Sequence, residues 1–128
     1  MEIWGTGLLG VPAVDGSMLL ELDARNRAID AIYQDIPTES DREYELSFYI
    51  RSRDQDHDSF GERVYVEWQG STITETEHHA NEWNTWTKVV LTLVGSGGVD
   101  RLTLSESDRN GANNGRGVLL DMIALYPV

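Results

Sequence analysis

Tyr44, Leu46, Phe48 and Ile50 alternate with Glu45, Ser47, Tyr49 and Arg51. A period of two with one apolar side is the signature of an extended strand that buries one face. The same alternation recurs in Val64, Val66 and Trp68, in Val89, Leu91 and Leu93, and in Leu102 and Leu104. Two stretches, 17–22 and 118–125, are apolar on both sides and read as central strands covered from above and below, with Glu21 and Asp121 as polar exceptions. Ala28–Ile36 reads as a further strand, although the Ile29, Ile32, Tyr33 spacing also permits a helical turn. Asp15-Gly16, Gln69-Gly70-Ser71, Gly95-Ser96-Gly97-Gly98 and the Asn110–Gly115 stretch supply turns between them. Eight or nine short strands at this spacing predict an all-β domain, a sandwich or a barrel.

With 128 residues the chain fits one domain, 1–128, without room for a second core. It has no Cys, so no disulfide supports the fold, and no apolar run is long enough to insert in a membrane. Its start, Met1-Glu2-Ile3-Trp4-Gly5, lacks the basic and apolar regions of a signal peptide. The formal charge of −12 repels phosphate backbones and anionic membranes, which argues against nucleic acid as a partner and suits divalent cations.

Some acids sit where their neighbours predict burial. Glu21 lies in Met18-Leu19-Leu20-Glu21-Leu22, Asp121 in Val118-Leu119-Leu120-Asp121-Met122, and Glu2 precedes Ile3 and Trp4. A buried carboxylate needs a cation, a set of donors or a raised pKa. With the first strand beside the last, Glu2, Glu21 and Asp121 could share one Ca2+ with a carbonyl near Asp15. The same acids could instead cap loop amides or pair with arginines. A second oxygen-rich stretch carries Glu106, Asp108, Asn110, Asn113 and Asn114, able to wrap a cation or grip sugar hydroxyls, or simply to form a loop.

Catalytic patterns are sparse. The histidines form no His-x-His or His-Glu-x-x-His, and there is no thiol, Gly-x-Ser-x-Gly elbow or phosphate loop. Aromatic residues are better placed, because sugar C–H faces stack on Tyr and Trp rings while hydroxyls need charged and amide partners. Tyr49 and Tyr65 fall on polar strand faces, and Trp83 lies in a polar stretch. Trp68 and Trp86 are better candidates for the core.

Several segments together, Glu2-Ile3-Trp4-Gly5, Gly10–Gly16, Leu20–Ala24, Tyr33–Ile36, Tyr44–Phe48 with Arg53, Val64–Gly70, Gly97–Glu106 and Gly117–Leu125, resemble a galactose-binding-like domain of the carbohydrate-binding-module type found in large bacterial surface proteins, including RTX-type adhesins. The resemblance spans nearly the whole chain. It implies a two-sheet antiparallel jelly-roll β-sandwich with a structural calcium, carrying ligand roles onto Glu2, Glu21 and Asp121. It also implies a glycan partner at loops on one edge or on a concave sheet face, and an extracellular or cell-surface setting within a larger protein. The chain departs from the pattern in its charged 51–58 segment and in the residue after Asp121. The function expected is non-catalytic, calcium-stabilised carbohydrate binding through Tyr49, Arg51, Arg53, Tyr65, Trp83 and the Glu106–Asn114 loop. The alternatives are a structural or protein-recognising adhesin module and a small polysaccharide-active enzyme. Oligomeric state is open, since no exposed apolar stripe marks an interface.

Overall fold

The computed structural model describes residues 2–8, 11–22, 31–51, 62–78, 85–106 and 118–128. Among them are nine strands: β1 (Glu2–Gly5), β2 (Met18–Glu21), β3 (Ala31–Pro37), β4 (Glu43–Arg51), β5 (Glu62–Trp68), β6 (Ser71–His78), β7 (Thr87–Val94), β8 (Val99–Glu106) and β9 (Leu119–Pro127). They form a five-stranded sheet, β1-β2-β9-β4-β7, and a four-stranded sheet, β3-β8-β5-β6, antiparallel throughout. The period-two segments are strands as expected. Ala31–Pro37 is extended and not helical. The polar run Ser71–His78, which carries no apolar alternation, is also a strand. It is an edge strand held by its backbone pairing with β5, a contact that its own side-chain pattern does not announce.

The alternating apolar residues meet between the sheets. Leu46, Phe48 and Ile50 of β4 face Val64, Val66 and Trp68 of β5 and Leu102 and Leu104 of β8, joined by Leu22, Val118 and Leu120. Phe48 is the largest of this core's fully buried side chains among the described residues. Along β9, Leu120 and Leu125 both pack on the core although they are an odd number of residues apart. A bulge reconciles them. The register with β4 shifts between Ser47 and Tyr49, and Met122 adopts a φ of 49° there. The extra residue re-phases the strand, so both leucines point inward.

The outer face of the five-stranded sheet is covered in its β1–β2–β9 half by the segment before β2. Val11, Leu19 and Leu119 form a second, small core against which Ala13 and Trp86 pack. The expectation that 17–22 and 118–125 are covered on both sides therefore holds for their central residues. It fails for Met18, Met122 and Ile123, which are exposed. The first strand does not lie beside the last: β2 stands between β1 and β9.

The antiparallel order gives the sandwich two distinct ends. The ends of β2, β4, β6 and β8, and the starts of β3, β5, β7 and β9, gather at one end, here the upper one. The connections 23–30, 52–61, 79–86 and 107–118 join these strand ends. At the lower end the β3–β4, β5–β6 and β7–β8 connections are short. Asp100 accepts hydrogen bonds from Thr38 Oγ1 (2.5 Å), Ser96 N (2.9 Å) and Ser96 Oγ (2.5 Å), tying the β3–β4 connection to the β7–β8 turn. Burial opposes ionisation of Asp100, but these donors outweigh it and hold the carboxyl down at about 2.

Candidate functional site

Beta pairing decides which polar residues share a surface. Glu2 is directly opposite Glu21 in the β1–β2 register, and Glu21 is opposite Leu119. Tyr49 is opposite Asp121, and Arg51 opposite Leu119. Because paired residues point to one side of a sheet, Glu21, Asp121, Tyr49 and Arg51 all belong to the outer face of the five-stranded sheet. Glu21 is fully buried there and Arg51 is 6% exposed. Burial lowers the pKa of Arg51 from its usual range.

Asp121 performs the second of the two roles open to it in the sequence. Its Oδ2 accepts the backbone N–H groups of Val14 (2.7 Å) and Asp15 (3.2 Å), and its Oδ1 accepts that of Met122 (2.7 Å). These three donors use most of the roughly four lone-pair directions of a carboxylate. Asp15 contributes its amide, and its side chain is exposed. Among the described residues no three His, Cys, Asp or Glu side chains converge as metal ligands, and the side chain of Glu2 lies outside the described set. Among the described residues, Asp121 is thus an amide-capped carboxylate.

Among the described residues expected to bind ligand, the two tyrosines do not share a surface. Tyr49 and Tyr65 sit on opposite outer faces of the sandwich. Tyr49 shares its face with Asp121 and with Lys88, whose Nζ lies 5.9 Å from the ring centre. Tyr65 alternates with the buried Val64 and Val66, on the outside of the four-stranded sheet. Glu106 is opposite Val64 and 5% exposed, on the core side of β8, and Arg51 is buried on the outer face of the other sheet. Arg53, Trp83, Asp108, Asn110, Asn113 and Asn114 lie outside the described residues, in connections joined to the upper end.

What the structure does assemble is a polar and aromatic surface on the outer face of the four-stranded sheet. One row of paired residues runs Tyr33, Thr103, Glu67, Thr72 across β3, β8, β5 and β6. The next runs Ala31, Ser105, Tyr65, and a third pairs Asp35 with Arg101. Thr103 and Ser105 are short, half-buried hydroxyl residues and form the floor. Tyr33 and Tyr65 stand on either side of them, one row and two strands apart, roughly 12 Å between Cα atoms on standard sheet spacings. Tyr33 is 63% exposed.

Arg101 fixes the rim. Its guanidinium donates to both oxygens of Asp35, Nε to Oδ1 at 2.8 Å and Nη2 to Oδ2 at 3.1 Å, and lies 4.1 Å from the centre of the Tyr33 ring. The bidentate fork and the stacking restrict the Arg and Tyr side chains together. The hydrogen bond from Arg101 lowers the Asp35 pKa, and Asp35 raises that of Arg101. Both groups are solvent-exposed, so the pair orders the surface more than it stabilises the fold. Tyr33, Asp35, Glu67 and Arg101 were not singled out in the sequence. The signal was there in their alternation with Ile32, Ile36, Val66 and Leu102, but the β3–β8–β5 adjacency that unites them is not a local property.

Two antiparallel sheets stacked in this order form a jelly-roll β-sandwich of the kind built by carbohydrate-binding modules. The chain is similar to a family 35 carbohydrate-binding module from Clostridium thermocellum, with a TM-score of 0.64 and 11% identity over 100% of this chain and 90% of that one. It is similar to the EclA C-terminal domain, described as a sugar-binding protein, with a TM-score of 0.68 and 15% identity over 95% and 89%. The carbohydrate-binding module of Cellvibrio mixtus lichenase 5A, in complex with cellotriose, matches with a TM-score of 0.58 and 14% identity over 99% and 86%. Where the similar chain is a carbohydrate-active enzyme, the matched part is 14% to 19% of that chain. No protein-family model matches the sequence, and no curated protein sequence does.

Proposed function

We propose that this chain is a non-catalytic carbohydrate-binding module and that the outer face of its four-stranded sheet takes a short, uncharged oligosaccharide. The observation that carries the reading is the placement of Tyr33 and Tyr65 on either side of a Thr103–Ser105 hydroxyl floor, with Tyr33 held by Arg101. Tyrosine rings present flat apolar surface to sugar C–H faces. Thr103, Ser105, Glu67, Asp35 and Arg101 supply donors and acceptors for hydroxyls around them. A pre-ordered rim lowers the entropy lost on binding. The acidic balance of the chain disfavours polyanionic glycans and leaves neutral ones unaffected. Extracellular use beside a catalytic domain fits the enzymes in which similar domains occur. The binding step proposed uses no metal.

The test is calorimetry against neutral oligosaccharides, cello-, manno- and xylo-oligosaccharides among them, with and without calcium. Tyr33→Ala and Tyr65→Ala should each weaken binding by about 5- to 30-fold, the cost of losing a central aromatic contact. Tyr49→Ala, on the opposite face, should leave it unchanged. A glycan bound with full affinity by the Tyr33→Ala and Tyr65→Ala variants would place the site elsewhere. No binding to any glycan would overturn the function.

A further inference from the structure

Among the described residues the two sheets have four edge strands, β1 and β7 in one and β3 and β6 in the other. An exposed edge offers unpaired N–H and C=O groups to another strand, and proteins guard such edges with short length, charge, proline or bulges. Three of the four are guarded. β1 has only four residues. β3 carries Asp35 and ends in Pro37. The β5–β6 register is broken by an irregularity between Val66 and Glu67, and the β6 sequence contains Glu75 and Glu77. β7, Thr-Lys-Val-Val-Leu-Thr-Leu-Val, has eight residues, one charge, no proline and an unbroken register with β4.

The backbone parity of β7 follows from its surroundings. Val128 N donates to Glu43 O, so Glu43 turns its backbone to β9 and Tyr44 turns its own to β7. Leu93, Leu91 and Val89 therefore bond to β4, while Val94, Thr92, Val90 and Lys88 face outward. Val94 O is already satisfied, by Trp68 Nε1 at 2.9 Å and Gln69 Nε2 at 3.2 Å. Lys88, Val90 and Thr92 are left with outward-facing backbone groups.

We infer that the β7 edge pairs with the β7 edge of a second copy of this chain, antiparallel and centred on Val90, to give one continuous sheet across a two-fold axis. In that register Lys88 is opposite Thr92 of the other copy and Val90 is opposite itself. The three outward-facing residues then make three narrow pairs, each exchanging two N–H···O bonds. Charge complementarity selects a second copy as the occupant. Thr92 is flanked by Glu45 in its own sheet, on the same outer face. Lys88 thus stands two strand spacings, roughly 10 Å between Cα atoms, from Glu45 of the second copy, within the joint reach of the two side chains. The two-fold axis makes this contact twice. Val90, 49% exposed in the single chain, is covered by its symmetry mate.

Sedimentation equilibrium of the full chain over a range of about 1 to 500 µM tests the pairing. Wild type should pass from monomer to dimer. Val90→Lys places two like charges at the axis without touching the core and should raise the dimer Kd at least about tenfold. Lys88→Glu and Glu45→Lys should each weaken the dimer, and the double variant should restore it, which loss of folding could not do. A wild-type chain that stays monomeric throughout overturns the inference. So does a dimer insensitive to Val90→Lys, or a double charge exchange that fails to restore association.

Discussion

Asp121→Ala removes a side chain that ties Val14 and Asp15 of the 11–15 segment to β9 by hydrogen bonding. The Val14 N–H bond is part-buried and charge-assisted, at 2.7 Å, and bonds of this kind contribute about 1.5–3 kcal/mol. The Asp15 and Met122 amides are exposed, so water replaces the lost carboxylate and each contributes no more than about 0.5 kcal/mol. The expected cost is about 2–3 kcal/mol, which in a domain of this size is a fall in Tm of about 6–15 °C. Asp121→Asn keeps one acceptor oxygen for Val14 and Asp15 and should recover about half of the loss. The local readout is hydrogen exchange at the Val14 amide together with the Trp86 indole, whose Nε1 donates to Pro12 O at 2.9 Å. Val14 should lose its protection and the Trp86 indole signal should shift, while core amides of β4 change only with global stability. A drop in Tm below about 2 °C, or a Val14 amide still protected in Asp121→Ala, would refute the clamp.

Two further outcomes follow from the lower end of the sandwich. Asp100 has a folded pKa lowered from 3.8 to about 2, so the stability it adds is complete above 3.8 and is lost as the pH falls from there to about 2. Acid titration of the unfolding free energy should therefore be steeper in wild type than in Asp100→Asn across that window, and equal slopes would count against it. Gly95→Ala should destabilise by more than about 2 kcal/mol, because a β-carbon there meets the Glu39 carbonyl and stands 2.7 Å from Thr38 Cβ, a contact only backbone movement can relieve. Chemical denaturation reads it, and a change under about 0.5 kcal/mol would show that the β3–β4 connection is free to shift.

The local pattern of this sequence is enough to fix its strands and its core. Leu46, Phe48 and Ile50, or Val64, Val66 and Trp68, can bury together only if their segments are extended, because a period of two puts them on one side of a strand and on scattered sides of a helix. Where that pattern was absent, as in Ser71–His78, or interrupted, as at Met122, the sequence was silent about pairing and phase. Asp121 shows the same division in one residue. Its apolar neighbours announce that it must be satisfied, but both a cation and a set of amides answer that need. Only the return of the 11–15 segment over β9 supplies Val14 and Asp15. Tyr49 and Tyr65 look equivalent in sequence, each on the polar side of an alternating strand, yet they face away from each other because β4 and β5 belong to different sheets. Tyr33 gains its place beside Tyr65 only through β8, a strand that starts 66 positions after it. Which faces are apolar is set by residues two apart. Which polar residues become neighbours is set by strand order, and that depends on contacts between distant segments that no local pattern encodes.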